Sequence, residues 1–200
     1  MLLVLAMVVE AAPSLAQSAQ RAAGNIGQLT ESGHITVGGV STPYVIHRLP
    51  VSSFPELPEQ VRQELNLRGC MIPQTYQAHR PENVIHASLE AVGTSDWAAL
   101  CAAHGMVSLL VFFGRALDKP MQLASAQETE RLQTRGGSGV LGFNWGIDPA
   151  SPERVHDAQA GMEDRSPPND HDALADSVID RHTVFHYYTH YAWVLLETPE

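Results

Sequence analysis

The runs Trp97-Ala98-Ala99-Leu100-Cys101-Ala102 and Met106-Val107-Ser108-Leu109-Leu110-Val111-Phe112-Phe113, joined through His104-Gly105, decide the fold. Both carry apolar side chains at odd and even positions alike. Because a strand alternates its side chains between two faces, these strands are expected to be covered on both sides by other structure. The short connection fits an antiparallel hairpin. Upstream, Val84-Ile85-His86-Ala87-Ser88-Leu89 reads as another strand, entering the hairpin through the polar turn Gly93-Thr94-Ser95.

Working toward the N-terminus, Leu57, Val61 and Leu65 are spaced i, i+4, i+8. Pro58 suits a first helical turn and Gly69 a stop after Arg68, so a short helix is expected here. Pro50 to Pro58 is proline punctuation. Val37 to His47 alternates around Gly38-Gly39 and Pro43 and reads as either an edge strand or a loop. Residues 17–36, rich in Ala, Gln, Ser and Gly, read as a flexible N-terminus of the mature chain.

Toward the C-terminus, Met121 to Thr134 has helical propensity without an apolar stripe, and Gly136 to Gly139 is a flexible turn. Val140 to Trp145 suits a strand. Ser151-Pro152-Glu153 is a helix start, with Ser151 as cap. Arg165 to Asp176 reads as a Pro/Asp-rich loop. Thr183 to Tyr188, a turn near His190, and Trp193 to Leu196 make a second hairpin, favoured by aromatic and β-branched residues. The expected fold class is α+β: one domain over residues 37–200, mostly antiparallel strands with one or two short helices.

Residues 1–16 read as an export signal. Leu2 to Val9 is unbroken apolar sequence, too short for a bilayer-spanning helix, and Ser14 and Ala16 are the small residues of a cleavage site before Gln17. The expected location is therefore periplasmic or secreted. No later apolar run reaches the ~20 residues of a membrane span. The formal net charge is −10, from 22 acidic and 12 basic residues. That balance argues against nucleic acid, which demands a positive footprint, and against anionic lipid headgroups. The cysteines are Cys70 and Cys101. In an oxidising envelope an even count points to a disulfide; two separate core thiols are the alternative.

Few residues announce chemistry. His182, His186 and His190 recur every four positions and could share a metal on a helix. Their Thr, Val, Phe and Tyr neighbours argue for a strand, where residues four apart lie roughly 13 Å from each other. Asp170, Asp172 and Asp176 are weak divalent-metal candidates: Ala173 replaces the glycine of a calcium loop and Leu174 takes the next ligand slot. There is no nucleophile elbow, P-loop or dinucleotide fingerprint, so no cofactor is expected. Cys101 lies in an apolar strand, where burial disfavours a thiolate.

Two resemblances follow from particular residues. Arg68 to Gln74, Asn83 to His86, Ser95 to Cys101, Ser108 to Phe112, Asp170-His171-Asp172 and Trp193 resemble a group of exported bacterial proteins of unknown function. The unit Ser88 to Cys101 also resembles a degenerate FG-GAP or VCBS-type hairpin, whose loops hold calcium through acidic side chains. That likeness implies ligand positions at Ser88, Glu90, Val92 and Asp96 around Gly93. Val92 offers no side-chain oxygen, so a tight hairpin turn is the preferred reading.

The expected function is a non-enzymatic module that binds an envelope protein or glycan, motivated by aromatics of the closing hairpin (Tyr187, Tyr188, Tyr191, Trp193) read as exposed. The alternative is an envelope hydrolase using Asp/Glu and His residues from separate loops, with His171 and His186 as candidates.

Overall fold

The computed structural model describes residues 29–160 and 169–197. The export-signal reading and residues 17–28 lie outside them. The described residues are mostly β, with two sheets and two short helices among them. The strands are β1 (Leu29–Val37), β2 (Val40–Pro50), β3 (Met71–Gln74), β4 (Val84–Ala87), β5 (Asp96–Ala103), β6 (Met106–Phe112) and β7 (Met121–Gln127). They continue with β8 (Leu132–Thr134), β9 (Leu141–Phe143), β10 (Trp145–Ala150), β11 (Ala173–Val178), β12 (His182–Thr189) and β13 (Ala192–Glu197). The helices are α1 (Glu59–Leu67) and α2 (Pro152–Ala158).

The larger sheet runs β7-β6-β5-β3-β2-β9-β8, with β1 added on β2 and β4 on β5; the smaller runs β10-β11-β12-β13. Strands β5 and β6 form the expected antiparallel hairpin, with Trp97 opposite Phe112 and Ala103 opposite Met106. Both of its faces are covered. Ala98, Leu100, Ala102, Val107, Leu109 and Val111 pack between the sheets with Phe143, Trp145, Leu174 and Tyr188. Trp97, Ala99, Cys101, Leu110 and Phe112 face the other way, onto Val61 and Leu65 of α1. A third cluster seats Val155 of α2 on the outer face of the smaller sheet, against Phe185, Tyr187 and Leu196. Burying Val61 and Leu65 fully stabilises the α1 contact by about 1.5–3 kcal/mol per side chain.

Helix α1 ends in a Schellman motif. Gly69, at φ +70°, donates to the Asn66 carbonyl, and the Cys70 N–H reaches the Leu65 carbonyl at 2.9 Å. This exit delivers Cys70 beneath β5, where it is disulfide-bonded to Cys101 with the Cα atoms 4.9 Å apart. At the other helix, the Ser151 hydroxyl accepts the Arg154 N–H, as its cap position predicts. The chain crosses between sheets at Asn144. Asn83 ties the two together: its Nδ2 donates to the carbonyls of Pro73 and Trp145, and its Oδ1 accepts the Ile147 N–H at 3.0 Å.

Three expectations are corrected. Leu29 to Thr36 is not a flexible tail but the outer half of a hairpin with β2, turning at Gly38-Gly39. Met121 to Thr134 is not helical: β7 pairs along β6, a single helical turn spans Glu128–Arg131, and β8 follows. With no apolar stripe to bury, that segment satisfies its backbone on a sheet edge and packs Leu123, Ala124 and Ala126 on the inter-sheet core. The presumed loop through Asp176 becomes strand from Ala173 onward, paired on both sides by β10 and β12.

Candidate functional site

A cleft of about 540 Å³ opens at the end of the inter-sheet core, between β1, β2, the β5–β6 turn and the helical turn at Glu128. Tyr44, Ile46 and Arg48 alternate along β2 and so project from one face. Ile46 belongs to the core, and the two polar residues flank it in the cleft wall. Arg48 is 6% exposed. Its Nε donates to Glu128 Oε1 at 2.7 Å and its Nη2 to Glu128 Oε2 at 2.5 Å, while the same Nη2 reaches Glu31 Oε2 at 2.8 Å. Glu31 also accepts the Tyr44 hydroxyl at 3.0 Å. The Glu128 backbone N–H donates to the Gly105 carbonyl at 2.9 Å, which fixes the carboxylate against the hairpin turn.

The electrostatics of this group run one way. Hydrogen bonds from Arg48, then from Tyr44, hold the Glu31 carboxyl below its ordinary range. The bond to Glu31 raises the Tyr44 phenol, and the bond to Glu128 raises the Arg48 guanidinium. A general acid for glycoside cleavage needs a carboxyl pushed upward, so Glu31 is tuned in the opposite sense. The cleft carries two carboxylates against one guanidinium, with Ile46, Met71 and Ala103 as its apolar floor and Leu29 at its mouth.

The residues singled out by sequence go elsewhere. His182 and His186 lie on β12, with the expected strand geometry, and His190 lies in the following turn. Asp170 is exposed and accepts from His171 Nδ1, which lowers its carboxyl. Asp172 accepts the Ser88 N–H at 3.0 Å. Asp176 is bonded to Trp145 Nε1 and, at 3.2 Å, to His186 Nε2. The three candidate aspartates thus share no partner. Among the described residues no group of three or more His, Cys, Asp or Glu gathers at metal spacing.

The Ser88–Asp96 loop is built around a fully buried Asp96. Its Oδ2 accepts the N–H groups of Leu89 and Glu90 and the Thr94 hydroxyl, and its Oδ1 accepts the Gly114 N–H at 2.7 Å. Glu90 pairs with Arg115, and the Ser88 hydroxyl donates to the Thr94 carbonyl. The oxygens that a calcium loop would point inward are engaged with the protein itself.

The closing hairpin forms as expected, but its aromatics are mostly not exposed. Tyr187 and Tyr188 are buried, and Trp193 packs against Phe113 and Tyr188 at 5.9 and 5.3 Å between ring centroids. Of the four, only Tyr191 is exposed, at 92%. The apolar repeat of β12 serves two cores at once, which exposure inferred from composition could not show. Neither His171 nor His186 lines the cleft.

Sequence reading missed Glu31, Tyr44, Arg48 and Glu128. The available signal was the two-residue spacing of Tyr44, Ile46 and Arg48. No family model, curated protein or solved structure matches the chain. No helix among the described residues is long and apolar enough to cross a membrane.

Proposed function

We propose that the chain is an exported, non-enzymatic module that binds a protein or glycan partner in the cell envelope through the Arg48 cleft. The observation that carries this reading is the closed network Tyr44–Glu31–Arg48–Glu128. Its acidic and phenolic groups are bonded to one another or to Arg48, giving a rigid polar wall rather than a poised acid or nucleophile. Rigid, preorganised polar groups beside an apolar floor are the ordinary makings of a recognition site. Export is supported by the leader-like run Leu2–Val9 with Ser14 and Ala16, and by the Cys70–Cys101 disulfide. We read the fold class as α+β, with its helices on the outer faces, and keep the FG-GAP-like kinship of the β4–β5 hairpin as a proposal without calcium.

The test uses the mature protein as bait in envelope extract, beside a variant carrying Leu29→Arg and Thr129→Arg. Both positions are exposed at the cleft mouth and stand clear of the Arg48 hydrogen bonds. The partner should be retained by the parent and lost by the variant. Equal retention, or turnover of envelope glycan that disappears in Glu31→Gln and Glu128→Gln, would reject the binding reading for this cleft.

A further inference from the structure

We propose that a second cleft, on the opposite face of β2, binds a small oxyanion: a phosphate or carboxylate group carried on a small molecule. Strand alternation separates the two sites. With Tyr44, Ile46 and Arg48 on one face, His47 and Leu49 point to the other, and there they line a cleft of about 340 Å³. Its volume falls within the range of small-ligand pockets.

The lining is basic in an acidic protein. His47, His79, Arg80 and Arg135 all contribute to it, and no carboxylate does. The nearest acidic side chains border the cleft and are held by its wall: Glu82 accepts the Thr75 N–H at 2.7 Å, and Asp180 accepts from Tyr76 and Gln77. Asp148 feels the charge of Arg80 but makes no ion pair with it. Elsewhere, Arg48, Arg62, Arg68 and Arg115 sit in salt bridges, and Arg131 and Arg154 lie over aromatic rings. Among the described residues Arg80, Arg135 and Arg181 have neither kind of partner, and of these Arg80 and Arg135 line the cleft. Two unpaired guanidinium forks in one concavity match the geometry of phosphate and carboxylate.

The cleft is also built, not merely crowded. Arg135 and Tyr76 reach it by lying directly over Gly142 in β9. A β-carbon at position 142 would stand 2.5 Å from Tyr76 Cβ and 2.8 Å from Arg135 Cδ, so the wall closes only on a residue without a side chain. The net charge of −10 does not oppose this site. Charges beyond the ~8 Å screening length at physiological salt are largely shielded, leaving the local charges to decide: the guanidinium groups belong to the lining, while Glu82 and Asp180 are already bonded to the wall. The same net charge does disfavour an extended polyanion, which is why the ligand inferred is a small one.

Calorimetric titration with inorganic phosphate, glucose 6-phosphate and glucuronate tests the proposal. At least one probe should bind with 1:1 stoichiometry. Binding confined to the two phosphates identifies a phosphate site; binding confined to glucuronate identifies a carboxylate site. Arg80→Gln/Arg135→Gln should weaken binding at least tenfold. Arg62→Gln/Lys119→Gln, which removes the same charge outside the cleft, should leave it within twofold. Should the Arg135 change disturb the wall over Gly142, seen as a lowered melting temperature, the exposed Arg80→Glu variant alone must still weaken binding. Absence of binding by all three probes, or equal loss in both double variants, would overturn the inference.

Discussion

Arg48 and Glu128, 80 residues apart in sequence, meet in a two-point ion pair with both side chains 8% exposed. The pair joins the central strand β2 to the turn after β7. Breaking such a buried pair from one side leaves an uncompensated charge, which typically costs about 3–5 kcal/mol, whereas replacing both members by apolar residues is often close to neutral. Glu128→Ala should therefore shift the urea midpoint sharply downward. Arg48→Met/Glu128→Leu should recover most of the loss while abolishing partner capture. A Glu128→Ala loss below ~1 kcal/mol would mean that Glu31 alone satisfies the guanidinium.

Glu31 predicts a pH dependence. Its folded carboxyl lies below its unfolded value, near ~4.3, so its contribution to stability is fully present above that value and lost as pH falls through the folded one. The urea midpoint should decline as the solution is acidified below about pH 5. Glu31→Gln should remove part of that decline. Its side chain is half-exposed, so the share will be modest.

The Tyr44 phenol supplies the complementary measurement. Its folded value is raised, chiefly by the bond to Glu31, so the stability it contributes is present below ~10 and lost as pH rises through the folded value. In an absorbance titration, the phenol missing from Tyr44→Phe should be one that ionises late. In Glu31→Gln that phenol should ionise earlier. An unchanged curve would show that Tyr44 and Glu31 do not interact in solution.

What was legible in sequence was whatever local pattern decides. The unbroken apolar runs around His104-Gly105 identify a hairpin buried on both faces. Pro58 and Gly69 bracket α1, and Thr183 to Leu196 forms the closing hairpin. The Arg48 cleft was not legible, because Glu31, Arg48 and Glu128 come from three separate segments joined only by pairing. The segment carrying Glu31 looked unstructured, and the one carrying Glu128 looked helical. Exposure of the closing aromatics failed for a related reason. Whether Tyr187 and Tyr188 meet solvent depends on α2 and the larger sheet, neither of which is encoded in β12 itself.

The Cys70–Cys101 disulfide pins the exit of α1 to the middle of β5 at a sequence separation of 31. Closing a loop of that length should contribute roughly 3–4 kcal/mol on the chain-entropy account. Thiol labelling of denatured, unreduced protein should find no reactive cysteine. Cys70→Ala/Cys101→Ala should unfold at lower urea yet keep its fold, since Leu65, Val61 and Ile72 still bury the same helix face. Two labelled thiols in freshly isolated, unreduced protein would remove both the bond and the support it gives to the proposal of export.

Asp96 makes the sharpest distinction between a calcium loop and a self-contained turn. Four donors converge on its carboxylate, three from backbone N–H groups and one from Thr94. Asp96→Asn turns one oxygen into a donor that must face an N–H or a hydroxyl, leaving a buried clash of donors worth about 1–3 kcal/mol. Asp96→Ala strands the three backbone N–H groups, while the Thr94 hydroxyl keeps the Ala91 carbonyl, and should cost more than twice as much. If the carboxylate serves these donors alone, millimolar calcium should leave the melting temperature of the parent unchanged, and EDTA likewise. A calcium-dependent rise in the parent that vanishes in Asp96→Asn would instead mean that the loop reopens around the ion, with Glu90 released from Arg115 to join Asp96 as a ligand.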